Sequence, residues 1–78
     1  MRLVDGKLRE MRLRRALTQA ELADKAGTTE ATVNRLENGL QDPRMSTLRK
    51  IAAALGVEPA DLIDWDATTE EERGKLAA

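Results

Sequence analysis

TTEATVNRLENG, residues 28–39, sets a helix-capping threonine ahead of two strongly apolar residues, Val33 and Leu36, and closes on Asn38-Gly39. A spacing of three puts Val33 and Leu36 on one stripe of a helix. The remaining positions are short or hydrogen-bonding: Thr29, Glu30, Thr32, Asn34 and Arg35. Such a helix either packs against the protein with a solvated back, or is pushed outward to read something. The flanking sequence decides between these.

Upstream, Thr18 and Glu21 have the spacing of a capping box, in which hydroxyl and carboxylate each satisfy a free backbone N–H of the helix start. Leu22, Ala23 and Ala26 form the inner stripe of that segment, and Gly27 ends it. Only Gly27 and Thr28 separate Ala26 from Thr29, which caps the next segment, with Glu30 placed at the positive end of its dipole. Two helices joined so tightly must cross steeply. That requires a small residue where the backbones meet (Ala23), an unhindered residue in the turn (Gly27), and apolar anchors on the second helix (Val33 and Leu36). These are the requirements of a helix-turn-helix, over residues 18–38.

The rest of the chain reads as helix too, since Ala, Leu, Arg and Glu dominate and strand-type alternation is missing. Residues 5–15 form a first segment, with Val4, Leu8 and Met11 on one face and Leu17 as a closing contact. Residues 40–44 form a loop stiffened by Pro43. Ser46 is the expected cap of a fourth segment, whose Leu48, Ile51, Ala52 and Leu55 fall at i, i+3, i+4 and i+7; Gly56 terminates it and Val57 makes the apolar contact that follows such an end. Pro59 suits the first turn of a short fifth helix carrying Leu62 and Ile63. Residues 64–78 are acidic and poor in large apolar groups. Thr68 with Glu71, or Thr69 with Glu72, can start one more short helix; a frayed tail is the alternative. The expected organisation is an all-α, compact five-helix domain over residues 1–63, followed by an acidic tail over 64–78.

Composition narrows the function. Seventy-eight residues bury one modest core. There is no cysteine for a disulfide framework and no histidine, so neither a metal site nor a cofactor is expected. Without His or Cys there is no obvious base or thiol nucleophile, and no glycine-rich loop follows a strand, so an enzyme is not expected. No apolar run suits a signal peptide or a membrane span, which points to a cytoplasmic protein. The net charge of −1 hides an asymmetry: residues 1–50 carry eleven Lys/Arg against seven Asp/Glu, and residues 51–78 carry two against seven. A basic front and an acidic back fit a polyanion-binding face opposite a solvated one.

LTQAELADKAGTTEATVNRLENG (17–39) followed by DPRMSTLRKIAAALGVEPADLI (42–63) resembles the Cro and phage-repressor class of helix-turn-helix proteins, the xenobiotic response element family. The resemblance covers residues 4–63. It implies a five-helix lambda-repressor-like domain that binds DNA operators as a two-fold dimer, with the third helix, residues 29–37, in the major groove. By the same resemblance Thr29, Glu30, Ala31 and Arg35 match positions facing bases or adjacent phosphates, with Thr32 nearby. Gln19, Asn38, Gly39 and Arg44 match positions that grip the phosphate backbone, and Arg12 and Glu37 match a buried ion pair. Partner surfaces of the class follow the fourth helix, which here makes Val57, Leu62, Ile63 and Trp65 candidates for a dimer interface.

Each role has a rival. Arg35 forks onto guanine, holds a phosphate, or is merely solvated. Glu30 accepts from cytosine N4 or only favours the helix dipole. Ala31 touches a thymine methyl or provides clearance, and Leu62 and Ile63 close the monomer core or meet a partner. Three departures stand out: Ala16 replaces the class's glycine, so the first helix is expected to close without a left-handed residue; Thr28 replaces an aliphatic residue; and Leu13 falls on a face usually polar, where it can meet the tail or a partner. The expected function is a sequence-specific double-stranded-DNA-binding transcriptional regulator, a repressor, dimeric in solution or on DNA. The alternatives are an antitoxin-type regulator whose tail binds a second protein, and a helical interaction module that never touches DNA.

Overall fold

The computed structural model describes residues 1–77. Its α-helices are α1 (Lys7–Arg14), α2 (Gln19–Ala26), α3 (Glu30–Glu37), α4 (Met45–Leu55) and α5 (Glu70–Ala77), with 3-10 turns at Pro59–Asp61 and Trp65–Ala67. Among the described residues the class is all-α with five helices and no strand, as expected, but the fifth is α5 in the tail and not the helix expected at Pro59. The only β-type pairing among the described residues is a bridge of Leu3 to Ile63.

The helix starts follow local chemistry in two cases. Thr18 Oγ1 accepts from Glu21 N at 3.0 Å while Glu21 Oε1 accepts from Thr18 N at 3.0 Å, so the capping box of α2 is complete. The backbone N–H of Thr18, then its hydroxyl contact, hold the Glu21 carboxyl below the usual glutamate range. This contribution is present above the unfolded carboxyl's pKa and is lost as pH falls through the folded value. Thr29 caps α3 by accepting from Thr32 N at 3.1 Å. Elsewhere the starts differ from expectation. α1 begins at Lys7 because Gly6 takes a left-handed conformation, leaving Val4 outside the helix, 42% exposed, with its N–H given to Leu62 O at 2.9 Å. α4 begins one residue before Ser46: Arg44 is the extended capping residue, without a side-chain cap, and its carbonyl accepts from Leu48 N at 2.9 Å.

The helix ends share one device. Leu17, Thr28, Leu40 and Val57 each return a backbone N–H to the carbonyl five residues back, at 2.9–3.1 Å, and each follows a left-handed residue. Three of these are glycines. A Cβ at Gly27 would meet nothing within 4 Å, so the turn needs glycine for its φ of 67°, not for space. The fourth is Ala16 at φ 54°, which corrects the expectation that α1 closes without a left-handed residue. The hydrogen-bond pattern is kept and the alanine carries the strain of the conformation.

Packing centres on α2, which contacts both α3 and α4. Ala23 and Ala26 are 3% and 4% exposed, small enough for the neighbouring backbones to approach. Leu8, Leu22, Val33, Leu48, Ile51 and Leu55 fill the core. The expected fifth helix is only a three-residue 3-10 turn at Pro59–Asp61, delivering Leu62 and Ile63 inward. Leu62 and Ile63 are 0% and 3% exposed, so they close the monomer core, and of the four interface candidates Val57 and Trp65 alone retain exposed surface.

Of the two alternatives for the tail, a helix is observed. Thr69 and Glu72 form its capping box, with Glu72 Oε1 accepting from Thr69 N at 2.9 Å and Thr69 Oγ1 from Glu72 N at 3.2 Å. Thr68 is instead buried, donating its hydroxyl to Asp64 O at 2.8 Å. α5 is docked by half-buried Leu76 against the core and by Arg49 Nη2 donating to Lys75 O at 2.8 Å. The Arg73 guanidinium lies 4.7 Å from the Trp65 ring centre and donates to Trp65 O at 2.7 Å. Leu13 is 55% exposed and joins neither core nor tail.

Replacing Ala16 by glycine is expected to raise stability by about 0.5–1 kcal/mol, since relief of the left-handed strain exceeds the added unfolded-state entropy. The midpoint of urea unfolding at unchanged slope measures it; an equal or lower midpoint would refute the strain.

Candidate nucleic-acid interface

α3 is anchored by Val33 and Leu36, 0% and 3% exposed. The other side carries Thr29, Glu30, Ala31, Asn34 and Arg35, all exposed, with Thr32 half-buried. Among the described residues, the Glu30 and Arg35 side chains enter no hydrogen bond within the protein, so both are free to meet a ligand. Thr29 donates its hydroxyl hydrogen to Thr32 Oγ1 at 2.9 Å, leaving the Thr32 hydroxyl hydrogen available outward.

The residues matched to backbone contact divide. Arg44 is exposed at the start of α4, and it borders a polar recess with Thr28, Thr32, Gln41, Asp42 and Thr47. Asn38 donates its amide to Asn34 O at 2.8 Å, securing the last turn of α3. Gly39 then turns the chain with φ 69°. Gln19 is half-buried and already engaged: Nε2 donates to Glu37 Oε1 at 3.2 Å, and Oε1 accepts from Asn34 Nδ2 at 3.3 Å.

Beneath this surface lies a bidentate ion pair. Arg12 Nε donates to Glu37 Oε2 at 2.7 Å and Nη2 to Oε1 at 3.0 Å, while Nη1 donates to Leu17 O at 2.8 Å. The side chains are 10% and 3% exposed. The hydrogen bond to Glu37 raises the Arg12 pKa against the opposing cost of burial, so the guanidinium is charged at every working pH. The pair ties α1 to the end of α3, and through Gln19 to the start of α2.

The structure therefore gathers Thr29, Glu30, Ala31, Thr32 and Arg35 on one outward helix. Gln19 and Arg44 sit at the starts of α2 and α4. Asn34 was not singled out from sequence. Its position one helical turn beyond Glu30 was the available signal.

A helix bound on one side by two aliphatics and bare on the other, following a tight turn after a capped helix, is the geometry named by a family comparison: the helix-turn-helix family profile matches residues 8–62. This chain belongs to that family. It is 33% identical over 73 residues to the cryptic phage CTXphi transcriptional repressor RstR of Vibrio cholerae, across 94% of this chain and 66% of that protein. It is 33% identical over 67 residues to control protein C.BamHI of Bacillus amyloliquefaciens, across 83% of each. Among solved structures, the restriction-modification controller protein C.AhdI from Aeromonas hydrophila superposes with a TM-score of 0.70 at 32% identity, covering 72% of this chain and 85% of that one. Against two further curated regulators the chain spans 50% and 41% of their length. Among the described residues no helix is long and apolar enough to cross a membrane, and no acidic cluster is arranged to hold a metal.

Glu37→Ala leaves the Arg12 guanidinium buried with one carbonyl partner and is expected to cost about 3 kcal/mol or more. The pair Arg12→Met with Glu37→Met should recover most of that loss, because no charge is then buried alone. Urea unfolding of the three variants measures it; equal loss in the single and double variants would deny that the isolated charge is the cause.

Proposed function

We infer that this helix-turn-helix chain is a sequence-specific double-stranded-DNA-binding transcriptional regulator that acts as a repressor. The observation that carries the reading is the outward face of α3, where Glu30 and Arg35 are exposed and, among the described residues, have no side-chain partner. Base edges are read from that face, with Thr29, Ala31 and Thr32 beside them. Gln19, Asn38, Gly39 and Arg44 hold phosphates and set the register. Residues 1–63 form the DNA-binding unit and residues 64–78 an acidic tail. The relatives named as repressors and controllers support the regulatory role.

A single recognition helix discriminates over only a few base pairs, which is insufficient against a genome of competing sites. The reading therefore includes a homodimer, in solution or formed on DNA, with Val57 and with Trp65, which is 44% exposed, at the contact. It also places the protein in the cytoplasm, on the nucleoid when bound.

Selection from random duplexes is expected to return a two-fold symmetric motif with half-site centres about 34–36 Å apart. One monomer per symmetric site at saturation, seen by analytical ultracentrifugation, would remove the dimer. No enrichment at all would remove the function.

With that duplex in hand, Arg35→Ala should flatten preference at one base pair of each half-site, by roughly 1–3 kcal/mol. Arg44→Ala should weaken all duplexes alike and lower the salt slope by about one per protomer. Titrations over single-base variants and salt concentrations separate the two. A uniform loss for Arg35→Ala would reassign it to phosphate, and an unchanged slope for Arg44→Ala would place it off the DNA.

A further inference from the structure

Glu37 fixes more than Arg12. Both of its carboxylate oxygens accept from Arg12, so the Gln19 group 3.2 Å from Glu37 Oε1 must be the donating amide nitrogen. Gln19 Oε1 is thereby turned toward Asn34, and the Asn34 group 3.3 Å away must be its NH2. Every amide orientation in the series follows from one buried charge. Gln19 Nε2 carries two hydrogens and Glu37 takes one. The second is left over at the start of α2, where the backbone N–H groups of that helix end also collect.

We propose that Asn34 is a positioning residue for DNA binding: from the exposed face of α3 it holds the Gln19 amide so that its second Nε2 hydrogen meets a phosphate oxygen. Asn34 thus serves affinity without reading sequence, although it sits among residues that read it. This rests on the DNA-binding reading above. Without Asn34, Glu37 still attracts the Gln19 amide, but nothing engages Oε1 and the amide swings about its remaining bond. A phosphate contact through a neutral amide displaces no counterion, so losing it leaves the salt slope intact. That separates Asn34 from an arginine on the backbone.

The test compares the wild type with Asn34→Ala, Gln19→Ala and the double variant on two probes: the duplex recovered by selection, and a mixed-sequence duplex of equal length. Asn34→Ala is expected to weaken binding to both by about fivefold, the worth of one ordinary hydrogen bond, at an unchanged salt slope. It should add nothing further in the Gln19→Ala background. In the free protein, Asn34→Ala should shift and broaden the Gln19 side-chain amide signals in a nitrogen-15 correlation spectrum, and Asn34→Asp, which offers Gln19 Oε1 no donor, should displace them further. A loss on the selected duplex alone would make Asn34 a reader and overturn the proposal. A loss that persists in full in the Gln19→Ala background, or no loss, would overturn the proposal. If the wild type binds neither duplex the DNA reading fails with its phosphate contact, while unmoved Gln19 signals in a wild type that does bind would overturn the positioning alone.

Discussion

The buried fork between Arg12 and Glu37 is the constraint on which the candidate surface depends. One carboxylate receives Arg12 twice and Gln19 once, while the same guanidinium holds Leu17 O. α1, the turn into α2, the first residue of α2 and the last residue of α3 are thereby joined at one point. Both side chains are withdrawn from water, so the arrangement persists only while every donor and acceptor is matched. A helix whose outer face is bare needs such fastening. Val33 and Leu36 set its depth, but two aliphatic contacts do not by themselves fix its rotation.

Around this point the packing is conventional in kind. Small residues of α2 admit α3 and α4, and the four helix ends reuse a single backbone device. Where glycine supplies the left-handed residue the device is unstrained; at Ala16 it is kept in spite of the side chain. Retention of the pattern there indicates that the path from α1 into α2 is set by the tertiary contacts of Leu17 and Arg12, not by local preference.

The tail carries a second lesson about what holds a weak helix. α5 has three consecutive glutamates in its first turn and almost no apolar stripe. Its capping box satisfies the start. Docking comes from Leu76, from Arg49 on α4, and from the stacking of Arg73 on Trp65. Leu76 and Arg73 belong to α5, but the core, Arg49 and Trp65 that receive the helix lie on other elements, so residues 70–77 alone do not announce the docking.

Much of the fold was legible in the residues themselves. The capping boxes, the glycine turn after Ala26 and the apolar spacing of Leu48, Ile51, Ala52 and Leu55 are local, and backbone hydrogen bonding and helical periodicity act within a few residues. The same periodicity placed the Val33 and Leu36 stripe of α3, while the base-facing set on its other side came from the family resemblance. Tertiary structure alone decided the rest. The left-handed Ala16 depends on groups that packing brings together, the buried Arg12 holding Leu17 O. So does the inward placement of Leu62 and Ile63, two apolar residues whose sequence suited a core and a partner equally. Asn34 shows the limit most clearly. In sequence it is one polar residue among several on a helix face, and it gains its partner only when the buried charge of Glu37, on the same helix, turns an amide of α2 toward it.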